Sequence, residues 1–150
     1  MKHLRIYIDT SVVRGCLDDE YQQESSALLR MAAEGKVTLI ISDILARELE
    51  LAPVEVQAKL RQLPESCLEV VSHSEETKRL RDKYLENKIV GGSQIIDAHH
   101  VAIATVARAD VIVSWNFRHI VHFEKIRGFN AVNLQEGYAA IEIRSPREVV

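Results

Sequence analysis

An α/β fold, a three-layer α/β/α sandwich around a mainly parallel sheet, is predicted by the way short apolar strands alternate with helical segments along the 150 residues. Two further features support it. Val37 to Ile41 is apolar on both faces except at Thr38, as a strand covered by helices on each side must be. Acidic or amide residues also stand where strands stop, and in parallel sheets that carboxyl edge is where sites form.

The elements follow in order. Leu4, Ile6 and Ile8 alternate as in a strand, which ends at Asp9-Thr10-Ser11. Glu24 to Glu34 places Ala27, Leu28, Met31 and Ala32 at helical spacing before Gly35, a residue suited to a left-handed helix end. After the Val37 to Ile41 strand, Ser42 or Asp43 offers an N-cap to a short helix with Ile44, Leu45 and Leu49 inward and Glu48 upon it. Pro53 opens a further helix that ends before Pro64, and Cys67 to Val71 reads as a short strand. Ser72 and Glu75 form a capping-box pattern for a helix to about Asn87, with Lys78, Arg79, Arg81 and Lys83 exposed on it. Gly91-Gly92-Ser93 breaks the chain. Ile95 to Ala109 is a helix rich in alanine, meant for close packing on a sheet, and Val111 to Val113 is a buried strand that stops at Ser114-Trp115-Asn116. A helix over Arg118 to Arg127, a break at Gly128 and a last strand over Ala131 to Leu134 complete the expected order. No repeat or linker divides the chain, so one domain over 1–150 is expected, with a C-terminal strand and tail over 128–150.

Composition narrows the function classes. Hydrophobic residues make 47% and charged residues 27%, with six glycines and three prolines, which excludes collagen-like and disordered chains. No apolar run spans a bilayer, and no secretory signal is visible, so no membrane role is expected. Cys16 and Cys67 are the only cysteines and belong to no C-x-x-C pair; a cysteine zinc site is excluded and a cytoplasmic setting expected. A net charge of −3 argues against a general nucleic-acid coat, so a phosphate partner would have to be gripped locally.

Asp97 is the most informative residue. It sits in Ile95-Ile96-Asp97-Ala98, ahead of a long apolar stretch, where a charge is costly to desolvate without compensation. By itself it reads as a favourable charge at a helix start. Asp9 and Glu48, also at element boundaries, change that reading, because carboxylates brought within a few ångströms oppose one another's ionisation and a divalent cation relieves the conflict. Hard oxygen ligands without thiolates suit magnesium or manganese.

Tyr7-Ile8-Asp9-Thr10-Ser11, the Ser42 to Leu49 segment with Glu48, Ile96-Asp97 with Ala98, Ala102 and Ala104, and Val113-Ser114-Trp115-Asn116-Phe117-Arg118-His119 resemble, in this order, the motifs of the PIN-domain family, and its VapC-like toxin branch most closely. The resemblance covers residues 4 to about 120. It implies a PIN-like nuclease fold that hydrolyses RNA with one or two Mg2+ or Mn2+ ions. Carried over by position, Asp9 and Asp97 would be the principal metal ligands and Glu48 the third, acting directly or through a water. Asn116 would stand where many relatives carry a fourth aspartate, and Ser11 would be the hydroxyl that accompanies the first. It further implies a type II toxin–antitoxin module with a cognate antitoxin and a toxin homodimer. The expected chemistry is attack of ion-activated water on phosphorus, without a covalent intermediate.

Asn116 has a consequence in charge. Three carboxylates supply −3 and a scissile phosphate about −1, so two magnesium ions would be neutralised only once substrate is bound. A catalytically weak or inactive PIN-like domain that binds RNA or protein is therefore the alternative. Arg118, His119, Lys125 and Arg127 follow the site and are the candidate phosphate contacts; Lys78, Arg79, Arg81 and Lys83 form a second basic set, and a solvated helix face is the plainer reading of both. His99 and His100 point about 100° apart on a helix and so read as packing or support rather than as a shared metal pair. Trp115 and Phe117 read as core more readily than as base-stacking residues. No G-x-S-x-G elbow or phosphate-cradling glycine loop is present, and no lysine stands out as the partner a phosphoacceptor receiver module needs.

Overall fold

The protein was analysed as a computed structural model that describes residues 2–150. Its strands are β1 (Leu4–Ile8), β2 (Val37–Ser42), β3 (Leu68–Val71), β4 (Val111–Val113) and β5 (Glu142–Arg144). Its helices are α1 (Thr10–Gly15), α2 (Gln22–Ala33), α3 (Asp43–Glu50), α4 (Val54–Arg61), α5 (Glu75–Glu86), α6 (Ile95–Val106) and α7 (Phe123–Gln135). The sheet has the order β3-β2-β1-β4-β5 and all its pairs are parallel.

Strand alternation builds the layers. Ile6, Ile8, Leu39, Val111 and Val113 enter one apolar cluster with Val12 and Val13 of α1, Leu28 of α2 and Val56 of α4. Tyr7, Ile40, Ile112 and Ile143, one position out of step, enter the other with Leu80 of α5, Ala98 and Ala102 of α6 and Phe129 of α7. Helix α3 feeds both, through Leu45 and Leu49 on one side and Ile44 on the other. The sandwich is thus the predicted α/β/α arrangement, and its small α6 residues, wholly buried at Ala98, Ala102 and Ala104, let that helix lie close to the sheet.

Topology positions the site. From β1 the chain runs outward to β2 and β3, then returns to the other flank of β1 as β4, which makes the β1/β4 boundary a switch point with a crevice at its carboxyl edge.

Several boundaries differ from expectation. Ala131 to Leu134 is not a strand but part of α7, which also passes through Gly128. Phe129 and Val132 are buried at helical spacing, and a Cβ on Gly128 would lie 2.8 Å from Ile89, so that glycine serves close packing rather than a break. The helix starts at Phe123, not Arg118, and the edge strand lies further on, at Glu142–Arg144. Helix α6 ends at Val106, short of Ala109, because Arg108 turns left-handed at φ 57°. The α5 capping box uses Ser74 and Thr77 instead of Ser72 and Glu75. The α1 turn directly after Asp9 had no apolar period to announce it.

Helices α1 and α2 meet at Gly15, where an added Cβ would stand 2.5 Å from Ser25 Oγ and 2.7 Å from Trp115 Nε1, the partners of a 2.8 Å hydrogen bond. Gly15→Ala is expected to destabilise the protein by about 1–3 kcal/mol, read as a lower urea midpoint at unchanged m-value.

On the opposite layer His99 is buried with Nε2 3.0 Å from Thr77 Oγ1. Burial, aided by the charges of Arg81 and His73, pushes its pKa down to about 4. The unfolded chain takes up this proton near 6.5 and the folded chain only near 4, so stability should fall as pH drops through that window, by up to about 3 kcal/mol. His99→Gln should remove this part of the pH dependence of urea unfolding; an unchanged profile would contradict the burial of a neutral imidazole.

Candidate active site

Asp9 directly follows β1 and Ser114 directly follows β4, and because Ile8 and Val113 are register partners, the two side chains emerge side by side. Ser114 Oγ donates to Asp9 Oδ2 at 2.6 Å, and Ser11 Oγ donates to Asp9 Oδ1 at 2.6 Å. Each hydroxyl is itself oriented by a backbone N–H, that of Asn116 to Ser114 and that of Trp115 to Ser11, both at 2.9 Å. The first carboxylate is therefore fixed by both oxygens while buried to 5% exposure.

Asp97 occupies the first turn of α6 and is half-buried. Burial pushes its pKa up, and the negative charge of Asp9 pushes it further; His100, His119 and the Asn116 amide work against the rise. Burial likewise raises Asp9, against the pull of His100 and the two serines, with the charge of Glu48 adding to the rise. Two carboxylates from distant parts of the chain thus share one neighbourhood, and the charge of Asp9 opposes the ionisation of Asp97.

Glu48 is held separately. Its Oε1 accepts from Thr10 Oγ1 at 2.6 Å and lies 2.7 Å from His100 Nε2. His100 Nδ1 lies 2.6 Å from the Tyr7 hydroxyl, which lies 2.8 Å from Ser42 Oγ. Burial lifts the Tyr7 pKa far above its ordinary value, so the phenol keeps its proton. These contacts form one continuous chain from Ser42 through Tyr7 and His100, in which the imidazole Nε2–H donates to the Glu48 carboxylate. Burial alone would raise Glu48, but these hydrogen bonds and the charges of His100 and Arg14 leave its pKa below the ordinary value.

Asn116 contributes differently from expectation. Its Oδ1 accepts the backbone N–H groups of His119 at 2.9 Å and Arg118 at 3.2 Å, closing the turn after β4. The carbonyl is committed to the backbone, and the amide N–H2 is the end that faces Asp97. An aspartate would offer a second oxygen here; this asparagine offers a donor.

The candidate phosphate contacts divide. His119 lies near enough to Asp97 for its charge to be felt, whereas Lys125 Nζ donates to the Ile89 carbonyl at 2.7 Å and the Arg127 guanidinium sits 5.6 Å from the Phe123 ring centre. Lys125 is thus engaged by the connection that follows α5 and Arg127 by a ring of its own helix, and Arg118 is exposed. Trp115 is buried against Tyr21 and Ser25, while Phe117 remains exposed. Ser114, Thr10 and Tyr7 were missed as site residues, and His100 was read only as general support.

A divalent ion fits Asp9 and Asp97 as a ligand pair, since magnesium is commonly held by one or two carboxylates with water filling the octahedron. Both carboxyls are raised by burial, Asp97 further by the charge of Asp9 and Asp9 further by that of Glu48, which accords with such a place. Among the described residues no three His, Cys, Asp or Glu side chains converge for one ion; Oε1 of Glu48 is held by Thr10 and His100, and its Oε2 carries no side-chain hydrogen bond.

Residues 5–118 match the family model described as PIN domain. Among solved structures, the VapBC2 crystal structure from Rickettsia felis, bound to a DNA fragment from its promoter, matches with a TM-score of 0.58 and 17% identity over 95% of this chain and 98% of that one. VapC20 of Mycobacterium tuberculosis, a sarcin-ricin loop cleaving toxin, matches with a TM-score of 0.58 and 12% identity over 91% of this chain and 98% of that one. No curated protein sequence matches the chain. At these identities the two structures speak for the fold, and the family model, which covers most of the chain and spans Asp9, Glu48, Asp97 and Asn116, shows that the chain belongs to the PIN-domain family.

Proposed function

We propose that this PIN-domain protein is an endoribonuclease, dependent on Mg2+ or Mn2+, and the toxin of a type II toxin–antitoxin module, with the whole of residues 1–150 forming one nuclease unit. The observation that carries the reading is the meeting of Asp9 and Asp97 at the switch-point crevice, both made costly to ionise by burial, with the charge of Asp9 adding to the cost at Asp97. Likeness in fold to VapC toxins supports the toxin assignment, a cognate antitoxin as partner and a homodimer. No helix of the described residues is long and apolar enough to cross a membrane, and a cytoplasmic setting accords with the RNA substrate proposed.

Asp9 and Asp97 would hold the ion, which when bound would lower the pKa of water and offset charge on the phosphate. Ser11 and Ser114 keep both Asp9 oxygens in place through the catalytic cycle. Glu48 Oε1 is anchored by Thr10 and His100; Oε2 has no side-chain hydrogen bond among the described residues and is the atom available to accept a proton from, or orient, the attacking water. The Asn116 amide donates toward Asp97 and limits the repulsion between the two aspartates.

The second reading, a PIN-like domain that binds RNA without cutting it, is favoured by two observations: Asn116 supplies no ligand oxygen, and no three-residue cage is present among the described residues. Incubation of RNA with the protein in Mg2+ or Mn2+ separates the readings. Cleavage that falls at least about 100-fold in both Asp97→Asn and a chelated sample supports the nuclease. Equal cleavage in all samples identifies a contaminant, and tight RNA binding without cleavage under any metal supports the second reading.

The positioning role of His100 has its own expectation. His100→Ala should lower kcat about 10- to 100-fold while leaving the Kd for RNA nearly unchanged, with His100→Gln recovering part of the loss. A parallel loss of thermal stability and RNA affinity, with no separate effect on kcat, would show that the imidazole serves only packing.

A further inference from the structure

The basic set on α5 is divided by the fold. Lys78 and Arg81, three residues apart, share one face, and with Arg47 of α3 they line a cavity of about 350 Å3 between α3, α5 and α6. Arg79 and Lys83 line a different cavity, among Glu76, Asp82, Glu86 and Glu136, where acids outnumber bases.

The first cavity shares a wall with the candidate active site, because Glu48 lines it. Glu48 is also its one lining carboxylate, against three cations. Lys78 pairs loosely with the exposed Glu75 at 3.4 Å and Arg81 with Asp82 at 3.0 Å, whereas Arg47 has no ion pair among the described residues. Both of those carboxylates are solvent-exposed, so the pairs are weak and exchangeable for a phosphate. Ile44 and the half-exposed Ile96 supply an apolar wall. A positive cavity with one apolar side, opening beside a carboxylate cluster, matches a single nucleotide: an anionic group for the guanidinium forks and a flat apolar base for the isoleucines.

We infer that this cavity is the subsite for the nucleotide next to the scissile phosphodiester, with Arg47, Lys78 and Arg81 holding its phosphate and Ile44 and Ile96 facing its base. The inference rests on the RNA-cleaving reading above and adds the track along which the strand lies: across Glu48 toward α5, rather than along Lys125 and Arg127 of α7.

The test is fluorescence anisotropy with a labelled single-stranded RNA of mixed sequence, bound to the full chain carrying Asp97→Asn and measured over a series of salt concentrations. Adding Arg47→Gln and Lys78→Gln should raise Kd roughly tenfold and flatten the salt slope by about 0.7 to 1.4, the loss of one to two phosphate contacts. Arg79→Gln with Lys83→Gln, on the other face of α5, should change neither. In the cleaving protein the first pair should raise KM with little change in kcat. An unchanged Kd and slope, or an equal loss in the control pair, overturns the subsite. If the unaltered chain cuts and binds RNA while ignoring the first pair, only the subsite falls; if it neither binds nor cuts RNA, the nuclease reading falls and the subsite with it.

Discussion

The repulsion between Asp9 and Asp97 is the constraint around which this end of the molecule is built. Folding brings the residue after β1 and the first turn of α6 to the same crevice, and burial raises the cost of charging either one. A chain that only needed stability would not keep two such groups together, since replacing buried charges with well-packed apolar residues is often neutral or stabilising. Here the surroundings do the opposite: two serines, an asparagine amide and two histidines all act to make those charges tolerable. The arrangement accords with the ion proposed above, which would neutralise both, and the family to which the chain belongs is one whose members usually work with divalent metal ions.

The supporting shell has a division of labour that follows from sheet geometry. The β1/β4 register puts Ser114 against Asp9, while the alternation within β1 turns Tyr7 to the opposite layer, where it meets His100. Thus one strand end serves two carboxylates: its last residues lead to Asp9, and its penultimate side chain begins the chain of hydrogen bonds that ends on Glu48. Thr10, one residue further, binds Glu48 directly. Thr10 and, through His100, Tyr7 both reach Oε1 of Glu48, so the residues on either side of the β1 end tie the position of Glu48 to the segment that carries Asp9.

Much of this was legible in the sequence, and the limits have physical causes. The strands β1, β2 and β4 declared themselves through apolar period, and the alanine-rich α6 through its close-packing composition, so that Asp9 and Asp97 could be placed at element boundaries. Ser11 was marked by its place in the motif that resembles the PIN-domain family, two residues after Asp9. Ser114, by contrast, is 105 residues from Asp9, and only the strand register joins them. Tyr7 was read as a strand residue because nothing local reveals that its hydroxyl meets His100. The resemblance names Asp9 and Asp97 as principal ligands and Glu48 as a third, direct or through a water, but the sequence says nothing about which oxygens are already engaged: Thr10 and His100 hold Oε1 of Glu48, and Ser11 and Ser114 hold both oxygens of Asp9. Near the C-terminus, Ala131 to Leu134 is too short a run for apolar content to distinguish strand from helix, and Gly128, a helix breaker by propensity, is retained inside α7 by the approach of Ile89.

Binding of Mn2+ to the protein without RNA tests the central claim most directly, because it reads the aspartate pair apart from any catalytic outcome. Calorimetric titration should give a site whose affinity drops by at least about tenfold in either Asp9→Asn or Asp97→Asn, and further when the two are combined, as expected when each supplies an oxygen to one ion. Equal affinity in the unaltered chain and in the double variant would contradict it, and would leave the two aspartates as neighbours without a common purpose.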